Sequence, residues 1–142
     1  MAQFLIALAV AAIASSASAF PDEDYISYGC HGGFTGGGTS TAILSDGRIY
    51  RSHRSTYRSE ITEPILVGRN PEAAREIFLA ADRVDFLGSP APKPKSYDCV
   101  IAKRIAGHTY GISVNQKDTP DAARSLADLF IKLVLAPDES PQ

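Results

Sequence analysis

The sequence predicts an α+β fold, an antiparallel sheet of four or five strands with two helices on one face in ββαββα-like order. Three observations predict it. Two β-rich runs flank Asp46-Gly47 and two more flank Ala106-Gly107, at the spacing of hairpins. Each pair is followed by a stretch whose apolar residues recur at helical spacing. Those stretches open almost identically: Pro71-Glu72-Ala73-Ala74-Arg75 and Pro120-Asp121-Ala122-Ala123-Arg124 differ only in one acid. The halves therefore read either as a pseudo-repeat or as two uses of generic helix-start chemistry.

The apolar run Phe4 to Ala14 is too short to span a bilayer and is followed by Ser15-Ser16-Ala17-Ser18-Ala19, which fits the small-x-small cleavage rule. Residues 1–19 are expected to be a signal peptide, 20–136 a single domain and 137–142 a flexible C-terminal tail, in a secreted or periplasmic protein. A buried N-terminal helix is the alternative, and no Lys or Arg precedes the run. No later segment is apolar enough to span a membrane.

Phe20 to Asp24 reads as a solvated lead-in. In the strand that follows, Tyr25 to Cys30, Ile26, Tyr28 and Cys30 share one face. The run from Gly29 to Gly38 contains six glycines and one large ring, Phe34. Such a run is either a tight crossover or a surface loop meant for a partner. Thr39 to Ser45 and Arg48 to His53 form the first hairpin. A two-residue turn at Asp46-Gly47 sets Leu44 opposite Ile49 and Ile43 opposite Tyr50, apolar on both faces, and leaves the inward face open. Arg51 to Glu63 holds a short edge strand or a long loop, with Pro64 arguing against a central strand.

Asn70 caps the first helix, with Pro71 at its first position and Glu72 in its first turn. Its stripe is Ala74, Ile77, Phe78, Ala81 and Val84, and Gly88 ends it. Ser89 to Lys95 is an extended, proline-rich linker. The second hairpin runs from Tyr97 to Ile105 and His108 to Val114. With a two-residue turn, Cys99, Ile101, Ile105, Ile112 and Val114 share one face, and Asp98, Arg104, Thr109 and Ser113 the other. Ala106 is a poor residue for the positive φ of that turn. Thr119-Pro120-Asp121 opens the second helix by the logic of the first, with Ala123, Leu126, Ala127, Phe130 and Leu133 as its stripe and Pro137 as its stop.

Net charge of -2 argues against a dedicated nucleic-acid binder, because phosphate affinity rests on accumulated Lys and Arg. Cys30 and Cys99 are the only cysteines, and in an exported chain they are expected to pair, the alternative being two buried thiols. His31, His53 and His108 lack metal-ligand spacing, so neither a metal nor a cofactor is expected. Cys30 and His31 are adjacent on a strand and point to opposite faces, badly placed for nucleophile and base. Arg48 and Arg54 share one strand face and Arg51 the other, which reads as a charge-protected hairpin edge. The glycine run lacks the Lys and the strand-to-helix setting of a phosphate loop. No enzyme is expected.

Gly32-Gly33-Phe34-Thr35-Gly36, a helix ending near Asp85-Phe86, and Tyr97-Asp98 opening a strand pair before a final amphipathic helix together resemble the emfourin family. Emfourins are small protein inhibitors of thermolysin-like metalloproteases, with an antiparallel sheet and two helices. The resemblance implies a non-enzymatic protein-binding module and a secreted thermolysin-like metalloprotease as partner. Gly32, Gly33, Phe34, Thr35 and Gly36 would lie across the protease cleft, Phe34 filling an apolar subsite. The alternative is a secreted structural or envelope interaction protein with no protease target.

Overall fold

β1 (Tyr25–His31) carries Ile26, Tyr28 and Cys30 on one face, and strands flank it on both sides. The computed structural model describes residues 20–32, 37–56, 62–88 and 98–135. The expected signal peptide, the loop residues Gly33, Phe34, Thr35 and Gly36, the linker and the C-terminal tail lie outside the described residues. In chain order β1 is followed by β2 (Gly38–Leu44), β3 (Arg48–Arg54), β4 (Ile65–Arg69), α1 (Pro71–Ala81), β5 (Asp98–Ile105), β6 (His108–Ser113) and α2 (Asp121–Phe130). The strands form one six-stranded sheet in the order β4-β3-β2-β1-β5-β6, every neighbouring pair antiparallel.

The α+β class is as the sequence predicts, but the sheet has six strands rather than four or five, and the order is ββββαββα. β1 is the strand expected at Tyr25 to Cys30, and the strand the sequence did not place is β4. β4 begins just after Pro64 and ends at the cap of α1, so its proline costs the ladder no hydrogen bond. It lies beyond Arg51 to Glu63, the stretch in which the sequence left an edge strand or a long loop open.

Both helices cover the face that presents Ile26, Ile43, Ile49, Ile101 and Ile112. Ile77, Leu126 and Phe130 fill the layer between, all essentially inaccessible to solvent. Each such side chain contributes about 2 kcal/mol relative to exposure. On the opposite face Phe20, Tyr25, Ala42 and Leu44 form a smaller cluster, with Phe20 edge-on to Tyr25 at 5.3 Å between ring centres. The lead-in expected to be solvated is therefore a strap. Asp22 pairs with Arg104, Glu23 with Arg48 at 2.6 Å, and Asp24 accepts from the Ala106 N–H at 3.0 Å.

The first hairpin departs from its expected register. Ile43, not Leu44, pairs with Ile49, and Ala42 pairs with Tyr50. The Gly47 N–H donates to Leu44 O at 2.9 Å, and Gly47 has φ of 98°, so three residues rather than two make the loop: a turn followed by one left-handed glycine. This single-residue slip settles which face is inward, sending Ile43 and Ile49 to the helices and Leu44 to the second cluster. The second hairpin has the expected two-residue turn, with Ile105 opposite His108 and both Ala106 (φ 53°) and Gly107 (φ 84°) left-handed.

Asn70 caps α1 as expected, its side chain accepting from Ala73 N–H at 3.0 Å. The helix stops at Ala81 rather than reaching Gly88, and Val84 and Phe86 complete the core from the turns that follow. α2 starts differently from α1. Its cap is Pro120, because Thr119 turns inward, its hydroxyl donating to Ser113 O at 2.8 Å and accepting from Gln116 N–H at 3.2 Å. Past Phe130 the helix widens into a π-helical turn, Ile131–Leu135. Wider turns shift the stripe by one residue, so Val134 is buried where Leu133 was expected.

Candidate functional site

The site is built at the end of the sheet where β1 hands over to β2. Cys30 and Cys99 stand directly opposite each other on β1 and β5 and are joined by a disulfide, as the sequence predicts. Adjacent hydrogen bonds fix the β5 side of the bridge. Val114 N–H donates to Cys99 O at 2.8 Å, and Cys99 N–H donates to Asn115 Oδ1 at 3.2 Å. Behind it the buried Asp98 carboxylate accepts from the Ser113 hydroxyl at 3.1 Å and from the Gln116 amide at 3.3 Å.

The bridge lies two residues before Gly32. Gly32 N–H donates to Gly37 O at 3.2 Å, closing the base of the loop, and only Gly33 to Gly36 remain between them. Glycine is required at the return: a Cβ on Gly38 would run into Cys30 O and His31. Of the expected contact residues, Gly32 belongs to this base, while Gly33, Phe34, Thr35 and Gly36 lie outside the described residues.

Beside the loop base a cleft of about 490 Å³ opens on the helix-bearing face, between the strands and Leu135 at the end of the π-helical turn. Strand register explains its lining. Tyr28, Thr41 and Arg51 form one row across β1, β2 and β3, and Cys30, Thr39 and His53 the next. All point to the same side. The Tyr28 hydroxyl lies 3.5 Å from Cys30 Sγ, which as a bridged sulfur only accepts. Thr39 Oγ1 and His53 Nδ1 are 3.1 Å apart, and His53 N–H donates to Thr62 Oγ1 at 2.9 Å. Hydroxyls and one guanidinium line this cleft, with no carboxylate among the described lining residues. Such a lining suits an acceptor-rich partner group such as a carboxylate or a peptide carbonyl.

Sequence reasoning missed this grouping. It separates Arg51 from Arg48 and Arg54, as the structure does, but leaves the inward face open and reads the arginines as a charge-protected hairpin edge. The structure puts Arg51 on the helix side. Knowing that Thr41 pairs with Arg51 and Thr39 with His53 needs the register of the first hairpin, which the turn assignment had shifted by one. The three histidines are not brought together. His53 stands beside Thr39 at the edge of the cleft without lining it, His31 faces the other side of the sheet, and His108 lies beyond the far hairpin turn beside Tyr110. Among the described residues no group of three or more His, Cys, Asp or Glu could hold a metal ion. No helix among the described residues is long and apolar enough to cross a membrane.

A smaller hollow of about 290 Å³ lies at the opposite end of the sheet, against Phe86, Leu87 and Tyr110. Lys103 occupies its rim, 3.7 Å from Asp82 and 5.8 Å from the centre of the Phe86 ring. Comparison with known proteins finds no family model that matches the chain and no curated protein that matches its sequence.

Proposed function

We propose that the chain is a secreted, non-enzymatic protein-binding module whose glycine loop, Gly32, Gly33, Phe34, Thr35 and Gly36, meets a partner together with the adjoining cleft. The observation that carries this reading is the bracing of the loop's two stems. Cys30 is bonded across the sheet to Cys99, and the Gly32 to Gly37 hydrogen bond closes the base. Fixed stems reduce the ordering cost that a glycine-rich segment otherwise incurs on binding. The disulfide also fits an oxidising compartment.

The emfourin resemblance supplies the partner class: a secreted thermolysin-like metalloprotease, inhibited by occlusion. Phe34 enters an apolar subsite, the glycines let the backbone approach, and the donor-lined cleft takes carbonyl or carboxylate groups at the rim of the contact. The test is titration of residues 20–142 against a thermolysin-like protease with a peptide substrate. Slowing of cleavage at micromolar concentration, weakened at least tenfold by Phe34→Ala, supports the reading. No slowing, or inhibition indifferent to Phe34→Ala, rejects it and leaves the alternative of an envelope interaction protein with no protease target.

A further inference from the structure

β4 closes one end of the sheet, and among the described residues no strand lies beside its outer backbone groups. Three consecutive aliphatic side chains stand on it in solvent: Ile65 is 65% exposed, Leu66 45% and Val67 44%. Because neighbours on a strand point to opposite faces, covering one face of the sheet would not cover all three. The opposite edge is built otherwise. β6 presents His108 and Thr109 to solvent and keeps Ile112 fully buried.

Charges flank the aliphatic run on both sides, Glu63 before it and Arg69 at its end, both exposed. Two copies of the segment related by a two-fold axis at Leu66 run antiparallel. That pairing sets Ile65 of one copy beside Val67 of the other and Glu63 beside Arg69, each contact occurring twice. The run is thus complementary to itself in shape and in charge. The geometry points to β4 as a self-pairing edge, through which two copies of the chain join their sheets into a continuous twelve-stranded one. The short interface makes the dimer weak, and it leaves the glycine loop, carried by β1 and β2, outside the contact.

Sedimentation of residues 20–142 from about 1 µM to a few hundred µM tests this, since affinities of micromolar order fall in that window. The weight-average mass is expected to rise toward that of two chains. Leu66→Lys, at an exposed site, should hold the protein monomeric with an unchanged circular-dichroism spectrum. Glu63→Arg and Arg69→Glu should each weaken the dimer roughly tenfold by setting like charges beside each other, and the double variant should restore it. A chain that stays monomeric throughout, a dimer unaffected by Leu66→Lys, or a double variant no tighter than the singles overturns the assignment.

Discussion

Cys30 and Cys99, 69 residues apart in sequence, occupy directly paired positions on adjacent antiparallel strands. The covalent bond therefore repeats a contact that the backbone ladder already makes, at the point where the glycine loop leaves the sheet. A closed segment of that length restricts the unfolded chain by about 4 kcal/mol in the chain-entropy account. Replacing both cysteines with alanine is expected to lower the unfolding free energy by about 3 kcal/mol in urea titrations. The native far-ultraviolet spectrum should persist, because the core on the helix side does not depend on the sulfurs. A change under about 1 kcal/mol would mean the bridge adds little to the ladder.

Ala106 takes the first left-handed position of the second hairpin turn, with φ of 53°. A residue with Cβ is costly there, while asparagine tolerates it. Ala106→Asn should stabilise the protein by about 1 kcal/mol, seen as a higher urea midpoint at unchanged slope. Destabilisation would contradict the strain assigned to alanine at this left-handed position.

Gly47 couples the first hairpin to α1. Its carbonyl accepts from Asn70 N–H at 2.8 Å, and a Cβ at Gly47 would sit 2.6 Å from Pro71 N. Gly47→Ala should therefore cost about 2 kcal/mol or more, through strain at φ of 98° and separation of the turn from the helix start. Calorimetry should show a lower melting temperature, and an unchanged one would contradict this packing.

Acid should loosen the same corner. The Asp46 carboxyl is held below its ordinary range, chiefly by the Arg48 backbone N–H, against some desolvation, with the Arg48 guanidinium helping at 2.8 Å. A carboxyl depressed in the folded state adds stability that is present above its unfolded value and lost as pH falls through its folded value. The stability gap between the wild type and Asp46→Asn should accordingly narrow on acidification below the ordinary carboxylate range. A gap constant with pH would remove the carboxylate from the account.

The strands of both hairpins, the turn at Ala106-Gly107 and the start of α1 were legible because each rests on local chemistry, and the bridged pair because Cys30 and Cys99 are the only cysteines. Asn70-Pro71-Glu72 is a cap, a fixed φ and a first-turn acid within three residues. What was not legible depended on register or on distant partners. One extra residue in the Asp46-Gly47 loop moved Ile43 beside Ile49, and with it Thr41 beside Arg51, so the cleft lining stayed hidden. Thr119 looked like a cap until Ser113 O, six residues back, claimed its hydroxyl. Asp22 and Glu23 looked solvated because Arg104 and Arg48, their partners, lie far along the chain.

Amide hydrogen exchange on residues 20–142, alone and mixed with a saturating thermolysin-like protease, tests the proposed contact most directly. The account predicts new protection from His31 to Thr41 and around Arg51, with the distant turn at Ala106-Gly107 unchanged. Unaltered exchange across the glycine segment, or protection confined to β4 or β6, would contradict it.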